Sequence, residues 1–340
     1  MTLTTALAIL GLVVLLALGA QAWWNTRRVR LPKEADADAG PDRVEPSLDS
    51  LPTEPQDVGG WRLNARRVPR LDALIDALVP LALDAPISGE AVLQHLPGSR
   101  RAGTKPFYIE GLDSDTGNWE PTGPGGRYTE LQAGVQLANR SGPLNDIEFS
   151  EFVQKIEAFA ESVGASADIP DMLEVVARAR ELDSLAGPLD AQLSITLRTN
   201  GVAWSIGFVQ QVATRLGLAP GAVPGRWVLA STEEGAPPML VLSVDAQAAL
   251  SEDPQTAVVR ECALALDVPQ TAASLEPFPA WHLLGKQLAD DLDATATDDH
   301  GEPITLHAFD TIGKEIDELY RRREQLDLAA GSPAARRLFS

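Results

Sequence analysis

Cysteine occurs once in 340 residues, at Cys262, so no intramolecular disulfide can brace this chain. A single thiol suits a reducing compartment and cannot build a thiolate metal site. Positive charge is scarce: 28 Lys and Arg stand against 48 Asp and Glu, a net charge of −20. That balance excludes nucleic acid as a partner, because phosphates reward Lys and Arg. Histidine is rare too: His95, His282, His300 and His307 are scattered and lack a His-x3-His spacing. The tightest polar cluster, TDDHGEP (297–303), could offer Asp298, Asp299, His300 and Glu302 to a metal, but its Gly301 and Pro303 favour a solvated turn. There is no G-x-S-x-G and no G-x4-G-K-[ST], and GPGG (123–126) lacks a following helix to aim amides at a phosphate. The adjacent carboxylates Asp290 and Asp291 sit on an expected helix and face water. These absences give no reason to expect an enzyme, a metal, a cofactor or a small-molecule substrate.

Long apolar runs are confined to the front. From Leu3 to Trp24 no side chain is charged. At about 1.5 Å per helical residue this stretch spans roughly 33 Å, enough for a hydrocarbon core. No Lys or Arg precedes it, and Arg27, Arg28 and Arg30 follow, which places the bulk of the chain in the cytoplasm and the short N-terminus outside. Trp23 and Trp24 then lie at headgroup depth. Residues 1–30 are therefore expected to be a retained transmembrane anchor with a basic flank. The triplet Ala20-Gln21-Ala22 keeps the alternative open, a cleaved signal and an exported envelope protein beginning at Trp23. Residues 31–70, rich in Pro, Asp and Glu over their first thirty positions, are expected to form an acidic, disordered linker.

Beyond residue 70 the pattern turns globular, and it runs through the same order twice. In the first pass strands are expected over 78–83, 105–112 and 127–139. Ser88 caps a short helix, and Asn145 with Glu148 forms a capping box for a helix over 146–164. A further helix follows Pro170. That long helix carries Phe149, Phe152, Ile156, Phe159 and Val163 on one face. In the second pass strands are expected over 193–198, 225–231, 239–245, 262–268 and 304–310. Ser205 caps one helix, another begins near Phe278, and a last one carries Ile312, Ile316 and Leu319. A shift of 129 places Val135 on Leu264, Phe149 on Phe278 and Phe152 on Trp281, while a shift of about 115 places Leu78 on Leu193. The expected class is α+β: two units, 71–187 and 189–327, each an open, mostly antiparallel sheet with helices on one face, followed by a flexible tail over 328–340.

The second unit, with LSITLRTNGVAWSIGFVQQVATRLGL, RWVLAS, PPMLVLSVD, CALALDVPQ, PFPAWHLLGKQLADDL, ITLHAFD and IGKEIDELYRRRE, resembles the C-terminal domain of the ZipA family. The front end resembles that family as well, with a membrane helix, a basic flank and a Pro-rich linker. The resemblance implies a bacterial inner-membrane protein of cell division and septum assembly, in which the helix-free face of the sheet binds the C-terminal tail of FtsZ. The linker is shorter than the family's, and the unit 71–187 stands where its best-known members have only linker. If Leu264, Leu266 and Val268 face the helices, Ala263, Ala265 and Asp267 face outward. The corresponding outward positions elsewhere are Ser194, Thr196, Trp227, Leu229, Val241 and Ser243. Trp227 is an anchor on the exposed face or a core residue on the other. Ser194, Thr196 and Ser243 suit a solvated sheet face as well as a groove. A membrane-linked enzyme working around His282, His300 and the nearby acids is the competing class.

Overall fold

The computed structural model describes residues 68–251, 257–304 and 306–340. The expected anchor over 1–30 and nearly all of the linker over 31–70 lie outside them. Among the described residues no helix is long and apolar enough to cross a membrane.

The class is mixed α+β with open antiparallel sheets. In the first module the principal elements are β1 (Asp76–Leu83), α1 (Gly89–His95), β2 (Lys105–Asp113), β3 (Arg127–Gln136), α2 (Asp146–Val163), β4 (Ala165–Ala167) and α3 (Met172–Ala186). The second runs β5 (Gln192–Thr199), α4 (Ile206–Arg215), β6 (Arg226–Leu229), β7 (Leu240–Ser243), β8 (Glu261–Asp267), α5 (Pro277–Leu292), β9 (Ala294–Thr297) and α6 (Leu306–Gln325). A last helix, α7 (Pro333–Leu338), closes the chain. The spatial order β2-β3-β1-β4 in one sheet matches β7-β8-β5-β9 in the other. Even small features repeat. Ser88 and Ser205 each accept a hydrogen bond from the backbone three residues on, at Ala91 and Phe208. Each also pairs in a two-residue ladder, with Arg127 and with Val258 respectively.

Local chemistry sets these elements. Asn145 accepts from the Ile147 and Glu148 amides while Glu148 reaches back to the Asn145 amide, so the expected capping box forms. Gly164 ends α2 in the left-handed region at φ 68°, where a side chain would be strained. Alternation along the strands then divides each sheet into two faces. On β1 and β3, Ala77, Val79 and Leu81 lie opposite Val135, Ala133 and Leu131 and are buried with the helices. Phe107 of β2 meets Phe152 of α2 edge-on, with ring centroids 5.4 Å apart. In the second module Ile195, Leu197, Leu242, Leu264 and Leu266 form the equivalent floor. Trp281 lies against it and donates from Nε1 to the Leu264 carbonyl at 3.0 Å. Gly285 lets α5 come this close, since a Cβ there would stand 2.6 Å from Ile195 Cδ1.

Four expectations need correction. Residues 304–310 do not form a strand: α6 begins at Leu306, and the edge of the sheet is made instead by β9, as β4 makes it in the first module. Both edge strands are too short to show alternation. The superposition by 129 holds for α2 on α5 and for the edge strands, but strand pairing through those edges sets Val135 against Leu266 and Ala77 against Leu193. Leu78 faces the other way. A slip of this kind is invisible when both faces carry Leu, Val and Ala. Finally, residues 328–340 are no loose tail. Leu328, Ala335, Leu338 and Phe339 are buried in the core of the first module. Phe339 lies under the Arg323 guanidinium, 4.3 Å from it, and covers a wholly buried cation whose pKa burial pushes down to about 10.

The two modules meet through Arg140. Its guanidinium donates to both carboxylate oxygens of Asp190, at 2.9 and 2.6 Å, and to both of Asp267, at 2.7 and 3.0 Å. Such forked pairing fixes direction as well as attraction.

Phe152→Asp places a carboxylate among Phe107, Phe149 and the sheet, and is expected to cost more than about 4 kcal/mol and to abolish cooperative unfolding of the first module in denaturant melts. Truncation after Asp327 strips buried apolar groups from the same core and uncovers Arg323. It should lower stability by about 5 kcal/mol, read from the shift in urea midpoint.

Candidate docking face of the second sheet

The face of the second sheet turned away from α5 is defined by strand register. One row across the sheet is Ser194, Ala265, Val241 and Val228. The next is Thr297, Thr196, Ala263, Ser243 and Arg226. With strands about 4.8 Å apart, the four-residue row is roughly 14 Å wide. Its side chains are short, Ser194 is exposed, and Ala263, Ala265, Val241 and Ser243 are half-buried. The result is a shallow tray with a floor of methyl and hydroxyl groups. Charge frames both ends: Arg198 and Glu261 pair at 3.2 Å at one end, and Asp267 is held by Arg140 at the other. The first pair is more than half exposed and contributes little to stability.

Six of the eight residues expected on this face are there: Ser194, Thr196, Val241, Ser243, Ala263 and Ala265. Trp227 and Leu229 are not. Trp227 lies opposite Leu242, and Leu229 opposite Leu240, so both point toward the helices. Trp227 is 4 % exposed and belongs to the core. The outward residues of β6 are Arg226 and Val228. Alternation along β6 alone cannot settle this, since Trp227 and Val228 are both apolar; only the register with β7 decides. Arg140 was also missed, because it approaches from the other module and no local signal announces it.

The first module shows the same rows filled. Its equivalent of Ser194, Ala265 and Val241 is Leu78, Gly134 and Tyr108. Leu71 sits on Gly134: a Cβ added there would stand 2.5 Å from Leu71 Cδ2. The Arg70 and Leu71 amides both donate to Glu110 Oε1, which is buried on this face. Arg70 and Arg337 both lie over the Tyr108 ring, with guanidinium carbons 5.5 and 4.9 Å from its centre. Arg337 also donates to the Arg70 carbonyl and, at 2.8 Å, to Asp76 Oδ2. Burial raises the Asp76 carboxyl above its ordinary range, and Arg337 pulls it part of the way back.

The remaining polar candidates have structural work. Asp298 accepts from the His300 and Glu302 amides at 2.9 Å each and closes the 298–302 turn, which holds its carboxyl below the usual range, the Glu302 amide most of all. His282 stacks on Phe309 at 4.1 Å. Cys262 faces the core, and burial pushes its thiol up to about 12, far from a reactive thiolate. Among the described residues no group of three or more His, Cys, Asp or Glu side chains gathers where it could hold a metal ion. Compared with known proteins, the chain matches no family model and no curated sequence.

Trp227→Ala should cost about 3–5 kcal/mol in a urea melt, the range for emptying a large aromatic site in a core. The same substitution leaves the tray's floor in place.

Proposed function

We propose that this chain is a non-enzymatic docking protein whose second sheet takes an extended segment of a partner on the face turned away from α5. The observation that carries this reading is the pair of equivalent sheet faces: in the first module Arg70 and Leu71 already lie on the row whose counterpart in the second, Ser194, Ala265 and Val241, carries no such segment among the described residues. Fold and face together support treating both units as ZipA-like modules. The partner that this suggests is the C-terminal tail of FtsZ, with the N-terminal apolar segment as an inner-membrane anchor and the bulk of the chain in the cytoplasm. A shallow floor of Ser, Thr and Ala gives few buried contacts, so a single tail binds weakly. A polymerised partner presents many tails to many anchored copies, and avidity makes weak sites sufficient.

The test is a titration of the full chain in detergent with a labelled FtsZ C-terminal tail peptide. Saturable binding is expected, weakened at least about tenfold by Ala265→Glu, which raises a charged side chain from the centre of the tray. The melt should be unchanged by that substitution. Binding indifferent to Ala265→Glu would remove the tray from the mechanism. Absence of binding up to about 1 mM peptide would remove this partner.

A further inference from the structure

We infer that the first module carries a second docking groove, closed in this structure by the chain's own Arg70-Leu71 and locked by Arg337. The inference rests on the reading of these sheet faces as peptide-docking surfaces and names the ligand chemistry of the closed one.

Three features make the contact a filled site rather than ordinary core. Gly134 leaves a socket in β3 that Leu78 of the neighbouring strand fills only in part, a Cβ there standing 2.9 Å from Leu78 Cδ2, and Leu71 takes the rest from outside the sheet, at 2.5 Å. Glu110 spends one carboxylate oxygen on the backbone amides of Arg70 and Leu71 and the other on Gln132, at 3.2 Å. It recognises main chain through two consecutive amides turned to the same side, so it would accept another segment that presents its backbone in this way. Tyr108 offers a ring face to a cation, and Asp76 and Glu110 make the surroundings acidic. The groove therefore selects a segment in which a basic residue is followed by a branched aliphatic one.

The lock comes from the far end of the chain. Arg337 of α7 grips the Arg70 carbonyl and Asp76, while its neighbour Arg336 pairs with Glu233 and donates to the Gln270 carbonyl in the second module. One short helix thus bears on both modules through adjacent residues. Glu233 and Gln270 contact the same helix that holds the plug.

The test uses the full chain and a fluorescent peptide, VPRLDAL, copied from residues 68–74. Wild type should bind it at least about tenfold more weakly than the double variant Leu71→Ser, Arg337→Ala. Adding Gly134→Ala to that variant, which fills the socket, should return binding to the wild-type level. Equal binding by wild type and double variant would overturn the proposal, as would binding unaffected by Gly134→Ala. If the variant does not melt cooperatively, hydrogen exchange on wild type decides. The Arg70 and Leu71 amides should exchange at least about tenfold faster than those of residues 131–135, through an opening that leaves β3 intact. Equal protection would make the segment part of the core and defeat the inference. Because Ala265→Glu reports only on the second sheet, failure here and failure of the tail-binding reading are separately visible.

Discussion

Everything in this structure depends on alternation along two central strand pairs, β1 with β3 and β5 with β8. Because successive side chains point to opposite faces, burying Val79, Leu81 and Ala133 under α2 commits Leu78, Pro80 and Gly134 to the other side. The same constraint in the second module buries Ile195, Leu197 and Leu264 and turns out Ser194, Thr196 and Ala265. A slip of one residue would exchange the two sets and put Leu264 in water, so the packing of Trp281 and Phe152 enforces the register. The exposed face is a consequence of the core.

From that shared constraint the modules reach different ends. Where the first sheet has Gly134 between Leu78 and Tyr108, the second has Ala265 between Ser194 and Val241. Glycine makes a socket deep enough for a leucine, and buried Glu110 supplies an acceptor for two amides. Alanine and serine make a level floor with nothing to capture a segment permanently. The first face is accordingly closed by the chain itself, and the second carries no such segment among the described residues. A protein that must exchange partners gains from the shallow version, and one that must hold its own ends in place gains from the deep one.

The C-terminal segment ties these halves together. It leaves the second module through α6, seals Arg323 beneath Phe339 and buries Leu338 in the first core. Arg140 makes the complementary link from the first module to Asp190 and Asp267, with about a quarter of each side chain exposed. Neither link is large alone. Together they join two sheets by contacts that name specific partners, and α7 touches both modules through Arg336 and Arg337.

How much of this was legible can be judged residue by residue. The helices were, because period and caps are local: Asn145 with Glu148, Ser88, Ser205 and the Phe149–Val163 stripe need no neighbours to be recognised. The twofold repetition was legible for the same reason, and so were six residues of the tray, since small or polar residues alternate with Leu and Ile in β5 and β8, and Val241 and Ser243 alternate with Leu in β7. Trp227 and Leu229 were not, because β6 is apolar on both faces and only its pairing with β7 assigns them. The edge strands β4 and β9 were too short to carry a period, and α6 began inside a run that alternates like a strand. The sequence by itself determined the α+β class, the order of elements and most of the outward face of the second sheet. Only tertiary structure decided where Trp227 points, that residues 328–340 belong to the first core, and that the first face is filled, because each of these rests on contacts between residues far apart in the chain.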